Sequence, residues 1–159
     1  MTKLYYYTSA NRLARSLEVN SLRSDFAEGA YRSAIENKVA YDEAYKKLRE
    51  LALNSIGDKK IDLMILERRT YIHLLRHKDF YADGKISQNE YKNSTMVVLG
   101  FDCPDNLFEE DIGENRVKIK DELSLDYLTE IYAQALSFQR IKIKLIQCKK
   151  RVPLYFWDK

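Results

Sequence analysis

The chain has 159 residues, and its 45% hydrophobic and 32% charged content make it globular rather than disordered. Five glycines and two prolines argue against a loop-rich all-β design, and no apolar run is long enough to cross a membrane. A formal charge of +3 is too small to imply a nucleic-acid partner by itself.

The length favours one domain, residues 1–159. The N-terminus has one lysine and no long apolar segment, so it does not read as a secretory signal. Cys103 and Cys148 have no CxxC spacing and read as free thiols in a reducing cytosol, which predicts a cytoplasmic protein. Twelve tyrosines against one tryptophan suit a core edge or a binding surface, since each ring buries and keeps a polar tip.

Leu4-Tyr5-Tyr6-Tyr7 opens the chain as a short strand, because aromatic rings suit a pleated, half-buried surface. Thr8 and Ser9 then offer oxygens to the start of a helix whose apolar face carries Leu13 and Leu17. Hydroxyls and a helix N-terminus at a strand's end are a common place to hold an anion or a nucleotide. The chain returns at Ser21-Leu22-Arg23, and residues 24–29 read as a polar turn. Ala30 to about Leu53 reads as one helix, and Lys60 to about Phe80 as a second with an unusually wide apolar arc. Ser87 with Glu90 caps a short third helix. The helical insertion thus covers about 30–93.

Met96 to Phe101 is a continuous apolar run and reads as a buried strand. Glu109-Glu110-Asp111 reads as a solvated acidic loop, and Arg116 to Lys120 alternates as a strand with one wet face. Ser124 is expected to cap a helix through Leu128 and Ile131, and Ser137 another carrying Ile141, Leu145 and Cys148. Val152 to Trp157 closes the chain as an edge strand. The class is α+β: a small split sheet of strands from both chain ends around a largely helical middle.

Asp79 to Glu90 resembles a calcium-binding EF-hand loop, but Tyr81 replaces an oxygen ligand, and a helical hairpin explains the same residues. His73 and His77 lie one turn apart on the expected helix, without an HExxH pattern, and read as partly exposed histidines. No metal site is assigned. Arg140, Lys142, Lys144, Lys149, Lys150 and Arg151 form an acid-free basic segment that either neutralises phosphates or meets an acidic protein, or is a solvated face. Arg12, Arg15 and Arg23 can extend it.

Leu4 to Ser9, Leu13, Leu17 and Ser21-Leu22-Arg23 resemble the opening of ADP-ribosyltransferase-like proteins. Met96 to Pro104, Arg116 to Lys120 and Leu123 to Ile131 are similar to later elements of that group, and Arg151 to Tyr155 resembles the end of a divergent bacterial branch. The resemblance implies a split sheet with a cleft for NAD. It implies contacts from Tyr6, where such families often place histidine or arginine, and from Tyr7, Thr8 and Ser9. Tyr31 would stack on the nicotinamide and Glu114 would supply the carboxylate. Gln88-Asn89-Glu90 imitates a Gln-x-Glu signature of the group.

Two functions follow. The preferred one is a non-enzymatic interaction protein on this fold, for instance a phage-type inhibitor of a bacterial defence complex, with a protein partner and no cofactor. The alternative is an NAD-dependent transferase that modifies a protein or a nucleic acid. Nucleic-acid binding through the basic segment is a third.

Overall fold

The computed structural model describes residues 1–56, 60–77, 96–113 and 115–156. The calcium-loop resemblance at 79–90, the capped helix at Ser87, the Gln88-Asn89-Glu90 signature and Glu114 lie outside the described residues. The chain divides into two compact units. One comprises Met1–Leu22, His73–Lys118 and Ser124–Lys159, and the other Arg23–Ile72 and Ile119–Leu123.

In the first unit, β1 (Thr2–Ser9) alternates so that Leu4 and Thr8 are buried. It pairs antiparallel along its whole length with β4 (Met96–Cys103), from Thr2 opposite Cys103 to Ser9 opposite Met96. Val97, Val98, Leu99 and Phe101 are all fully buried, which is why that run shows no alternation. β8 (Leu128–Ala133) pairs antiparallel with β4, with a register shift between Gly100 and Phe101. β9 (Leu154–Phe156) runs parallel to β8. With β3 (Tyr71–Leu75), β5 (Glu109–Glu110) and β6 (Arg116–Lys120), the described residues form a sheet ordered β5-β6-β3-β1-β4-β8-β9. A separate two-stranded sheet pairs β2 (Ser21–Arg23) with β7 (Glu122–Ser124). Among the described residues, two helices belong to the first unit. α1 (Ala10–Val19) buries Leu13 and Leu17, and α5 (Ala135–Gln147) buries Ile141 and Leu145.

The second unit carries α2 (Asp25–Asn37), α3 (Tyr41–Ile56) and α4 (Lys60–Thr70). Several expected elements differ. The turn at 24–29 is the first part of α2, because Ser24 Oγ accepts from the Ala27 N–H at 3.1 Å and Gly29 stays helical. The helix expected from Ala30 to Leu53 is two helices, parted where Lys38 takes a φ of +53°. The helix expected to reach Phe80 ends at Thr70 and continues as β3, where Ile72 and Leu74 are buried and Tyr71 and His73 only partly so. Its wide apolar arc was two elements with different periods. Ser124 caps only a 3-10 turn over Leu125–Tyr127, after which the chain extends as β8. Leu125, Leu128 and Ile131 keep a helical spacing because a turn and an irregular strand follow one another. The N-cap of α5 is Gln134, with Ser137 buried one turn inside.

Candidate functional site

The candidate site is built within the second unit around one turn. Asp121 has a φ of +63°, a left-handed conformation that aspartate tolerates better than most residues. Three hydrogen bonds hold it there. Its N–H donates to the Thr70 carbonyl at 2.9 Å, and its carbonyl accepts from the Ser24 N–H at 2.7 Å. Its Oδ1 accepts from the Tyr45 hydroxyl at 2.6 Å. The turn ends β6 and begins β7, and so delivers Glu122.

Glu122 stands between a cation and a phenol. Arg23 Nε lies 3.9 Å from Glu122 Oε1, and Arg23 also reaches Glu28 at 3.9 Å. Hydrogen bonding of the Tyr31 hydroxyl to Glu122, followed by burial, raises the Tyr31 pKa. The Glu122 side chain is 35% exposed, yet its Oε1 is buried and has no hydrogen-bond partner among the described residues. A buried carboxylate oxygen without a hydrogen-bond partner is costly, and a catalytic role is one explanation for such an atom.

An aromatic stack backs the carboxylate. The Arg23 guanidinium sits 3.5 Å over the centre of the Tyr31 ring, and the Tyr41 ring stacks on Tyr31 at 4.0 Å and 25°. Both contacts use ring faces at stacking distance, so they occupy opposite sides of Tyr31. A nicotinamide could stack there only if one of them moved. Tyr41 meets Tyr45 at 5.8 Å, and Phe26 meets Tyr45 edge-on at 5.3 Å. Burial first, then nearby carboxylates, raise the pKa of Tyr41, and they push Tyr45 to about 12.

The hydroxyl-bearing turn belongs to the first unit. Ser9 Oγ accepts from the Arg12 N–H at 3.1 Å, so it caps the start of α1. Thr8 is buried, Tyr6 and Tyr7 are half-buried, and the Arg12 guanidinium lies 5.7 Å from the centre of the Tyr6 ring. The basic segment does not form one face. Lys144 pairs with Glu18 at 2.5 Å, and Lys150 bonds Asn20 at 2.8 Å and faces Asp126 at 3.8 Å. Arg140, Lys142, Lys149 and Arg151 are exposed.

His73 and His77 are not on a helix. His73 Nδ1 meets Asp111 Oδ2 at 2.8 Å, and the His77 N–H donates to Asn115 Oδ1 at 3.0 Å. No group of three or more His, Cys, Asp or Glu suited to a metal occurs among the described residues. The acidic stretch at 109–111 is not simply solvated. Glu109 and Glu110 pair with Lys118 and Val117 as β5, and burial and His73 act oppositely on Asp111, leaving its carboxyl below the usual range.

The α+β arrangement, with a strand from each chain end in one sheet and a separate two-stranded pair, is an ADP-ribosyltransferase-like fold. A solved structure carries the comparison: Thermus sp. 2.9 DarT in complex with ADP-ribosylated ssDNA, at a TM-score of 0.52 and 11% identity. The likeness covers 98% of this chain and 94% of that one, and at such identity it concerns the fold alone. No family model matches the chain, and no curated protein does.

Sequence reasoning named Tyr31 but passed over its neighbours Tyr41, Asp121 and Glu122. One signal was available: an Asp-Glu pair breaking the alternation of Arg116 to Lys120 marks a turn that carries a carboxylate.

Proposed function

We propose that the chain is an ADP-ribosyltransferase that uses NAD and modifies a nucleic acid, with Glu122 as its carboxylate. One observation carries the reading. Glu122 is partly exposed, lies beside Arg23 and Tyr31, and keeps a buried oxygen with no hydrogen-bond partner among the described residues. NAD supplies the ADP-ribosyl group, the bond from its ribose C1′ to the nicotinamide nitrogen breaking with the electron pair leaving on nicotinamide. Glu122 offers fixed negative charge where positive charge develops on the sugar, and accepts the proton the acceptor loses on bonding to C1′. Arg23 and Tyr31 hold the carboxylate so that little reorganisation is needed. The nicotinamide finds its platform elsewhere than on Tyr31, whose faces are taken. A nucleic-acid acceptor is supported by the DarT likeness, since that structure contains ADP-ribosylated ssDNA.

The test is transfer of label from NAD, labelled in its adenylate phosphate, to a single-stranded oligonucleotide. Glu122→Gln keeps shape and removes charge, and is expected to slow transfer by about 100-fold or more. Transfer at the normal rate in Glu122→Gln rejects that residue. Absence of any NAD turnover in the natural chain, with or without protein acceptors present, favours the non-enzymatic interaction reading.

A further inference from the structure

We infer that the groove between α1 and α5 seats the sugar–phosphate backbone of a single-stranded nucleic acid. The inference deepens the proposed function and takes the acceptor's class from it, but it rests on a different part of the molecule. Both helices belong to the first unit and pack against each other. The groove encloses about 520 Å³, within the range of roughly 300–1,000 Å³ that holds small ligands.

Its chemistry suits a nucleotide. Lys144 and Glu18 line it and pair with each other at 2.5 Å. Arg15 and Arg140 also line it, both exposed, and neither makes an ion pair among the described residues. They stand on facing helices, so their guanidinium forks can take the oxygens of one phosphodiester from two sides. Ala14 and Ile143 give a small apolar surface against which a base or sugar can lie. Asn11 and Gln147 add amides that donate and accept. An acidic peptide would use the cations but not this pairing of apolar surface with amides. Part of the basic segment therefore has a definite role: Arg140 faces the groove, whereas exposed Lys142 does not line it.

The experiment is fluorescence anisotropy with an end-labelled single-stranded DNA of about 12 nucleotides, a length in the usual range of single-strand sites. Arg15→Gln/Arg140→Gln is expected to weaken binding about tenfold or more, and to lower the slope of log affinity against log salt by about 0.7, for the one phosphate no longer neutralised. Arg15→Lys/Arg140→Lys keeps the charge and recovers part of the loss. Lys142→Gln changes affinity by no more than about twofold, the effect of one distant charge. If Lys142→Gln weakens binding as much as Arg15→Gln/Arg140→Gln does, or that double variant binds like the natural chain, the groove is not the seat. No oligonucleotide binding by the natural chain also overturns it, and so does adenosine monophosphate binding as tightly as the strand. The transferase reading is judged apart from this. Glu122→Gln should bind the strand normally and transfer about 100-fold or more slowly, and if it transfers normally the catalytic reading falls while the groove stands.

Discussion

Gly100 has no side chain, and Glu130 uses the room. The registers of β1, β4 and β8 place Tyr5, Gly100 and Glu130 in one row across three strands. A methyl group at Gly100 would collide with Glu130 Cγ and lie 2.8 Å from its Oε1. Glu130 is not free to swing away, because it accepts from the Tyr132 hydroxyl at 2.5 Å and faces Lys3 Nζ at 3.3 Å. Gly100→Ala is therefore expected to cost about 1–3 kcal/mol, the range for overpacking, read as a lower midpoint in urea. Glu130→Ala in the same chain should restore much of that difference, and an unchanged midpoint in the single variant would refute the clash. Single residues were the least legible feature of the sequence. Met96 to Phe101 announced a buried strand, but nothing local says that its glycine is empty for a glutamate 30 positions on. Glu122 was passed over for a related reason: a left-handed Asp121 ends the alternation of Arg116 to Lys120 and carries no glycine to betray the turn.

Among elements, the strands with unbroken or alternating patterns were legible, and the helix boundaries less so. β1, β4 and β6 fell where their patterns put them. β3 and β8 were hidden because each follows a helical turn whose apolar spacing continues smoothly into the strand. Packing decides those cases, not propensity. The helices of the second unit carry a testable dependence on pH. Tyr45 accepts its neighbours only as a neutral phenol, since burial and the Asp121 carboxylate raise its pKa from 10.0 to about 12. A raised folded pKa means that the folded form holds the proton more tightly than the unfolded chain. Its contribution is complete below the unfolded value of 10.0 and is lost as pH rises toward about 12. Tyr31 and Tyr41 shift in the same direction. Helical signal in urea, followed by circular dichroism, should therefore weaken steeply in that alkaline window. Tyr45→Phe should be less stable at neutral pH by about 1 kcal/mol for the lost hydrogen bond, and flatter at alkaline pH. A variant as steep as the natural chain would show that Tyr45 does not set the dependence.

For the whole molecule, the first and last strands of the chain meet in one sheet, separated only by β4 and β8. That both ends are β and the class α+β was legible, because aromatic and apolar runs are local. Strand order and the division into two units were not, because both are fixed by contacts between distant residues. Such contacts couple the central strands of the first unit's sheet, since β1 and β4 each pair with strands distant in the sequence. β9 tests this. It adds the Ile131 N–H bond to the Pro153 carbonyl at 3.0 Å, the stack of Tyr132 on Tyr155 at 5.4 Å, and the approach of Phe138 to Phe156 at 6.2 Å. Tyr155 and Phe156 remain about half exposed, at 48% and 57%, so their burial contributes modestly. Ending the chain after Arg151 should therefore cost about 1–2 kcal/mol, from a few cross-strand pairs of roughly 0.2–1 kcal/mol each. If the sheet opens as one unit, amide exchange should quicken by a similar factor in β8, in β4 and in Leu4 to Tyr6 of β1, although β1 never touches the missing strand. Faster exchange confined to Ile131–Ala133 would mean that β9 only protects an edge, and that the two ends of the chain are not coupled through the sheet.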